Sequence, residues 1–394
     1  MRVLVLEPHA IGHHASYLRW LVQATERKAW NVVLATTTEA LSHPALRTIS
    51  AEFDHVDIHH IKDAPPPSTG HPLRLFRREV AYRDIFRGAL SEVHSKTPVD
   101  AIILPYVDYC FYALAILGTP FYGIPWSGIS MRLARPRSAG PADPRMNWKW
   151  RMARRILGQP SLRALFVINP SIQDLPSSWH LRGTPMKLRY LPDPAEFNVP
   201  GSREEARTSF KISSSNIAVL VFGAIDERKG IDALVTAITV EADLANYVVI
   251  LAGQQCPVMQ SKMRTAPYSQ LHLQNRLIVL DRFVSFAEQN ALLAAADVMW
   301  VGYLNHIYMS GVMVLAGRAG LPLVGTKDGE IGRLITEHGI GVVAVIEQPG
   351  DVAQALRNLC DARRRITMGQ RAQMAFAEHT PENFGTSVLS AFDA

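Results

Sequence analysis

At 394 residues the chain is too long for one ordinary core and suits two domains of rather under 200 residues each. With 48% hydrophobic and 19% charged residues it reads as a folded protein and not a disordered one. Its net charge of +6 admits anionic ligands but, spread over this length, argues against a dedicated nucleic-acid binder; no nucleic-acid partner is expected.

Short apolar runs recur along the first half, each followed by a helix-like segment: RVLVLE then SYLRWLVQATER, NVVLAT then EALSHPALRTIS, DAIILPYV then YCFYALAILG. Apolar runs without alternation suit parallel strands covered on both faces, with the helical segments as crossovers. The pattern restarts with NIAVLVFG and continues through YVVILAG, LIVLDRF, VMWVGYL, LPLVGT and GVVAVIE, the last followed by the helix-like DVAQALRNLCDARR. The fold class is therefore α/β, with two tandem doubly wound, Rossmann-like domains. The expected limits are 1–190 and 211–375, a proline-rich linker over 191–210, and a terminal helix in 376–394 returning to the first domain.

Two stretches run some 20 residues without Asp, Glu, Lys or Arg: Tyr109 to Met131, and Val298 to Gly317. Gly118, Pro120, Gly123 and Pro125 break the first, and Asn305, His306 and Ser310 interrupt the second. Both read as buried strands with their turns. MRVLVLEP offers about five apolar residues where a secretory signal needs roughly 7–15. The three cysteines, Cys110, Cys256 and Cys360, are scattered and odd in number. A cytoplasmic protein without a disulfide framework is expected.

Ligands of open α/β sheets bind beyond the carboxyl ends of strands, so the strand-to-helix loops are the places to search. FGAIDERKGID ends a strand at Gly223 and brings Arg228 and Lys229 to a helix start, with Gly230 letting the backbone come close. Cations at the positive end of a helix make an anion site, although a solvated charged turn is a competing reading. In YLNHIYMSGVMVLAGRAG, Ser310 is an N-cap candidate and Gly311 exposes the first helical amides to the same anion; many such caps are purely structural. In GTKDGEIGRL, Glu330 lies between Gly329 and Gly332, placed to bind a sugar or ribose hydroxyl or simply to favour the helix dipole. The N-terminal EPHAIGHHASY sets Gly12, His13 and His14 between the first strand and first helix, and Asp108 follows the third apolar run. Neither His13-His14 nor His59-His60 has metal-ligand spacing, and there is no Asp-x-Asp, so no metal site is expected.

In this order, FGAIDERKGIDALVTA, YVVILAG and ADVMWVGYLNHIYMSGVMVLAGRAGLPLVGTKDGEIGRLITEHGIG resemble the C-terminal domain of GT-B glycosyltransferases of the family 4 type. FVINPSIQDL and YLPDPAEF look like the segments before that domain. The resemblance implies two domains facing a cleft: the first binds the acceptor, and the second binds a nucleotide-diphosphate sugar as donor. It implies a glycosyltransferase without cofactor, with Lys229 on the donor diphosphate and with Gly12, Gly223, Arg228, His306, Ser310, Gly311 and Glu330 as further donor contacts. The glycine-histidine pair is similar to that of inverting small-molecule glycosyltransferases, which implies His13 as general base oriented by Asp108. Three departures stand out: Ala224 replaces an arginine usual after the strand-ending glycine, and Ile307 and Leu315 occupy the positions of two glutamates.

From Arg132 to Arg163, nine Lys or Arg face one Asp, with Trp148 and Trp150 interleaved. An anionic membrane carrying a lipid-linked acceptor is one reading of 132–163, and an exposed basic helix is the other. The leading expectation is a metal-independent transfer of sugar from a nucleotide sugar to a glycan, lipid-linked or small-molecule hydroxyl. The rivals are a nucleotide-sugar epimerase of the same fold and a non-catalytic scaffold subunit.

Overall fold

The structure is a computed structural model and describes residues 1–10, 14–44, 46–65, 71–133, 144–174, 187–198 and 201–393, with the side chains of 144–147 left aside. It divides into two units, Met1–Pro192 together with Pro381–Ala394, and Asp193–Thr380.

In the first unit the strands are β1 Arg2–Leu6, β2 Asn31–Thr36, β3 Val56–His60, β4 Ala101–Leu104, β5 Trp126–Ser130, β6 Leu162–Val167 and β7 Leu188–Tyr190. They form one sheet in the order β3-β2-β1-β4-β5-β6-β7 with parallel pairings. The chain winds outward from β1 in one direction and then from β4 in the other. The order thus reverses between β1 and β4, and in sheets of this kind ligands bind at the loops that follow the two strands. Alternate residues of each strand feed two cores: Leu4 and Leu6 join Phe86 and Phe111 on one face, Val3 and Val5 join Leu18 and Phe384 on the other.

The second unit has β8 Ile217–Phe222, β9 Tyr247–Ala252, β10 Leu277–Leu280, β11 Val298–Val301, β12 Leu323–Thr326 and β13 Gly341–Ala344. Its sheet order is β10-β9-β8-β11-β12-β13, again parallel. Here the reversal falls between β8 and β11, and Val219 pairs with Val298 across it. All six residues of β9 are buried, which is why that run carries no polar alternation.

The stretch expected as linker holds a helix, Arg203–Ser209, started by a reciprocal cap between Ser202 and Glu205. Arg207 of this helix is buried and bonds Asp297 at 2.9 Å; Asp297 also accepts from Arg203 at 2.7 Å and from the Ala218 amide at 2.8 Å. Helix Pro381–Leu389 packs on helix His14–Arg27, with the rings of Tyr17 and Phe384 4.7 Å apart.

Some elements differ from expectation. EALSHPALRTIS is two short helices, Thr38–Leu41 and Ile49–Glu52, because Pro44 prevents one continuous helix. DVAQALRNLCDARR belongs to two helices, Pro349–Arg357 and Ala362–Ala375. The uncharged stretches carry strands, turns and short helices, and no described helix is long and apolar enough to cross a membrane.

Candidate functional site

Both loops flanking the β8–β11 reversal are stitched together by their own backbones. After β8 the chain passes Gly223 and makes a tight turn over Glu227–Lys229 before helix Ile231–Val240. Gly230 sits at φ +60°, and a Cβ there would stand 2.3 Å from the carbonyl oxygen of Gly302. Only glycine lets the two loops approach so closely. The Trp300 indole donates to the Lys229 carbonyl at 2.7 Å, and the Leu304 amide donates to the Arg228 carbonyl at 2.7 Å.

This backbone turn sends the two cations in opposite directions. Arg228 is largely exposed and pairs with Asp226 at 3.3 Å. Lys229 is only 5% exposed. Its Nζ donates to the Phe222 carbonyl at 2.6 Å and to the Tyr303 hydroxyl at 3.4 Å, and lies 4.9 Å from the Tyr303 ring centroid. A Cβ on Gly223 would stand 3.8 Å from this nitrogen. Among the described residues no carboxylate pairs with Lys229.

The loop after β11 supplies the rest. Ser310 caps helix Gly311–Arg318: its Oγ accepts from the Val312 amide at 3.3 Å and donates to the Tyr303 hydroxyl at 3.2 Å. His306 meets Tyr303 edge-on with centroids 5.2 Å apart. Burial pushes the His306 imidazole below its ordinary pKa; Arg228 and Lys229 add to the push, and backbone bonds at Met309 and Tyr308 oppose it. Its Nε2 is buried without a hydrogen-bond partner among the described residues. Gly329 at φ +72° opens helix Gly329–His338, where a Cβ would lie 2.9 Å from the His306 carbonyl. The Glu330 amide donates to the Ile307 carbonyl at 3.2 Å, so this third loop backs onto the second. The Glu330 carboxylate, however, is held by Arg333 Nε at 3.0 Å and by a second nitrogen of the same guanidinium. The structure thus gathers Gly223, Lys229, His306, Ser310 and Gly311, turns Arg228 to solvent, and commits Glu330 to its own helix.

In the first unit, Gly12 and His13 lie outside the described residues. Asp108 accepts from Ser130 Oγ at 3.1 Å, from the Met131 amide at 2.7 Å and from Lys149 Nζ at 3.4 Å. These bonds fasten the end of β5 to the turn after β4.

What sequence reasoning passed over is Glu7, the first residue after β1, whose side chain is fully buried. Its Oε2 lies 2.9 Å from His14 Nδ1, and its Oε1 accepts from the His9 amide at 3.0 Å. The Tyr109 hydroxyl is 3.3 Å from each ring nitrogen of His14, and His9 Nε2 is 2.8 Å from the Tyr82 hydroxyl. Burial lowers the His9 pKa; Glu7 opposes this and His14 assists it. Burial and then Glu7 raise the Tyr109 pKa. The carboxylate at Nδ1 holds the imidazole in place, with Nε2 facing the Tyr109 hydroxyl. An acid placed directly after a strand was the available signal; Tyr303, two residues beyond β11, was the equivalent one in the second unit.

Residues 216–362 match the family described as glycosyl transferases group 1. No curated protein matches the chain in sequence. Among solved structures, the sucrose-phosphate synthase of Thermosynechococcus elongatus is 17% identical with a TM-score of 0.70, over 100% of this chain and 98% of that one. WaaG, a glycosyltransferase involved in lipopolysaccharide biosynthesis, is 15% identical with a TM-score of 0.64 over 100% of both chains. HepE from Anabaena in complex with UDP and glucose is 15% identical with a TM-score of 0.67, over 99% of this chain and 98% of that one. At these identities the likeness is one of fold.

Proposed function

We infer that this chain, of GT-B fold and carrying the group 1 match in its second unit, is a glycosyltransferase that moves a sugar from a nucleoside-diphosphate sugar to a hydroxyl acceptor. The observation that carries the reading is Lys229: a buried cation with no pairing carboxylate among the described residues, beside the helix start at Ser310 and Gly311. Burying an ammonium costs several kcal/mol unless charge compensates it, and an anionic ligand at this point would do so. Two phosphates fit that need. As the bond between the anomeric carbon and the phosphate oxygen breaks, the electron pair stays on the diphosphate. A fixed ammonium and helix amides stabilise that charge without reorganising.

Among the described residues no group of three or more His, Cys, Asp or Glu is placed to hold a metal ion. The proposed transfer is metal-independent, with protein cations on the leaving group. For the acceptor's proton, the geometry at Glu7 and His14 supports His14 as base; His13 keeps the same role as a sequence-based proposal. The acceptor class is a glycan, lipid-linked or small-molecule hydroxyl. Trp150 is buried in the core while Trp148 is half exposed near Arg151, Arg154 and Arg155. That face supports a peripheral contact of a cytoplasmic protein with an anionic membrane, which vesicle co-sedimentation tests.

A second reading, a nucleotide-binding subunit without turnover, is favoured by Ile307, which is exposed, and by Leu315, which is packed into the core where the family usually has a glutamate. Titration calorimetry with UDP, GDP, ADP and dTDP is the test of the donor site. One diphosphate should bind, and Lys229→Ala should weaken it by about 1.5–3 kcal/mol, the worth of a charge-assisted bond. Folded protein that binds none of the four sinks the reading. Release of nucleoside diphosphate from the matching nucleotide sugar then separates the transferase from the silent subunit.

A further inference from the structure

Tyr303 belongs to no part of the site read from the sequence, yet it is the group on which the buried polar atoms converge. Its hydroxyl oxygen receives Lys229 Nζ at 3.4 Å and Ser310 Oγ at 3.2 Å. The Ser310 hydroxyl is the donor in this pair, and its own oxygen accepts from the Val312 amide at 3.3 Å. A phenol has two acceptor sites and one hydrogen; with both acceptor sites used, the hydrogen points away from Lys229 and Ser310. Among the described residues the phenol makes no other hydrogen bond. An orphaned buried donor costs free energy, and a donor polarised by an ammonium is a stronger one. Three groups from two loops therefore leave one strengthened O–H without an acceptor, beside a cation that lacks a counter-charge.

We propose that Tyr303 is a direct anion-binding residue, whose hydroxyl donates to an oxygen of the terminal phosphate of a nucleoside-diphosphate donor, next to Lys229. The proposal rests on the nucleotide-sugar reading above and adds to it the residue that recognises the second phosphate. When the sugar leaves, the carbon–oxygen bond breaks with its electron pair staying on that phosphate. Tyr303 keeps its proton and donates a hydrogen bond that strengthens as the oxygen gains charge. A donor that saturates this phenol is a phosphate with at least two free oxygens, one for Lys229 and one for Tyr303. A nucleoside monophosphate, which lacks the second phosphate, forgoes the contact.

The experiment is calorimetric titration of the full chain and of Tyr303→Phe with UDP, GDP, ADP and dTDP and with the corresponding monophosphates, thermal melting being checked for both. The phenylalanine keeps the ring over Lys229 and removes only the hydroxyl. The expected result is a loss of at least tenfold in diphosphate affinity with monophosphate affinity unchanged. Equal diphosphate affinity in the two proteins overturns the role of Tyr303 and leaves the donor-site reading standing. A parallel loss of both ligands overturns it as well, since that is the mark of a pocket that has merely lost its shape. Wild-type protein that binds no nucleotide overturns the donor reading and this inference with it. Should Tyr303→Phe fail to fold, Ser310→Ala removes one of the two donors to the phenol. It should weaken the diphosphate about threefold, and no change there overturns the proposal equally.

Discussion

The indole nitrogen of Trp300 lies 2.7 Å from the main-chain oxygen of Lys229, so a buried residue of β11 fixes the backbone from which the lysine side chain departs. Trp300→Phe removes this donor and part of a fully buried ring. The second unit should lose about 2–4 kcal/mol, the sum of an unpaired carbonyl and a cavity. Urea unfolding measures the loss, and an unchanged midpoint would show that the carbonyl has another partner.

Gly230 should tolerate no side chain. An alanine there has to hold φ near +60° and to displace the Gly302 carbonyl. A cost of about 1–3 kcal/mol is expected, together with weakened nucleotide binding, because the displaced loop carries Tyr303. Gly350, with nothing within 4 Å of an added Cβ, is the control. Its alanine variant should melt within a degree or two of wild type.

Lys229 and stability should part company. Lys229→Met fills nearly the same volume without a charge and should leave the fold within about 1 kcal/mol of wild type while weakening diphosphate binding by about 1.5–3 kcal/mol. Large destabilisation in chemical unfolding would instead make the ammonium a structural element.

Asp297 should behave in the opposite way. Asp297→Ala leaves the buried Arg207 guanidinium without its carboxylate, and removal of one partner from a buried pair costs about 3–5 kcal/mol. Helix Arg203–Ser209 should detach first, read as loss of amide-exchange protection in residues 203–209. Retained protection would refute the assignment.

Glu79 sets a pH dependence in the first unit. Its carboxylate accepts from the amides of Tyr112 and Ala113 at 2.6 and 3.0 Å, but burial dominates and raises the pKa from 4.5 to about 7, with Asp108 adding to the rise. With the folded pKa above the unfolded one, the folded state binds more protons between those values. The contribution is fully present below about pH 4.5 and is lost as the pH rises through 7, on the order of 3 kcal/mol in all. Unfolding midpoints of wild type and Glu79→Gln at pH 5 and pH 8 test this. The wild type should weaken more than the variant towards pH 8, and parallel behaviour would be the refuting result.

The two sheets were legible because strands buried on both faces have to be continuously apolar. VVILA of β9 and AIIL of β4 admit few other readings. Lys229 was legible for a related reason: a cation before a glycine at a strand-to-helix turn is a local pattern. Tyr303 and Glu7 were not, because their hydrogen bonds join partners 74 and 7 residues away that only the folded chain assembles. Arg228 shows the same limit from the other side. One residue from Lys229, it looks equivalent in sequence, and only the turn geometry sends it to solvent.

Residues 381–393 pack on helix His14–Arg27 and belong to the first unit, whereas the whole of the second unit is spelled out before them. The first unit, although made first, cannot cover Leu18 and Tyr17 until the last residues of the chain have been added. Order of manufacture and order of completion are thus inverted. A chain cut after residue 380 would keep every strand of the second unit and leave the first with the apolar face of helix His14–Arg27 uncovered.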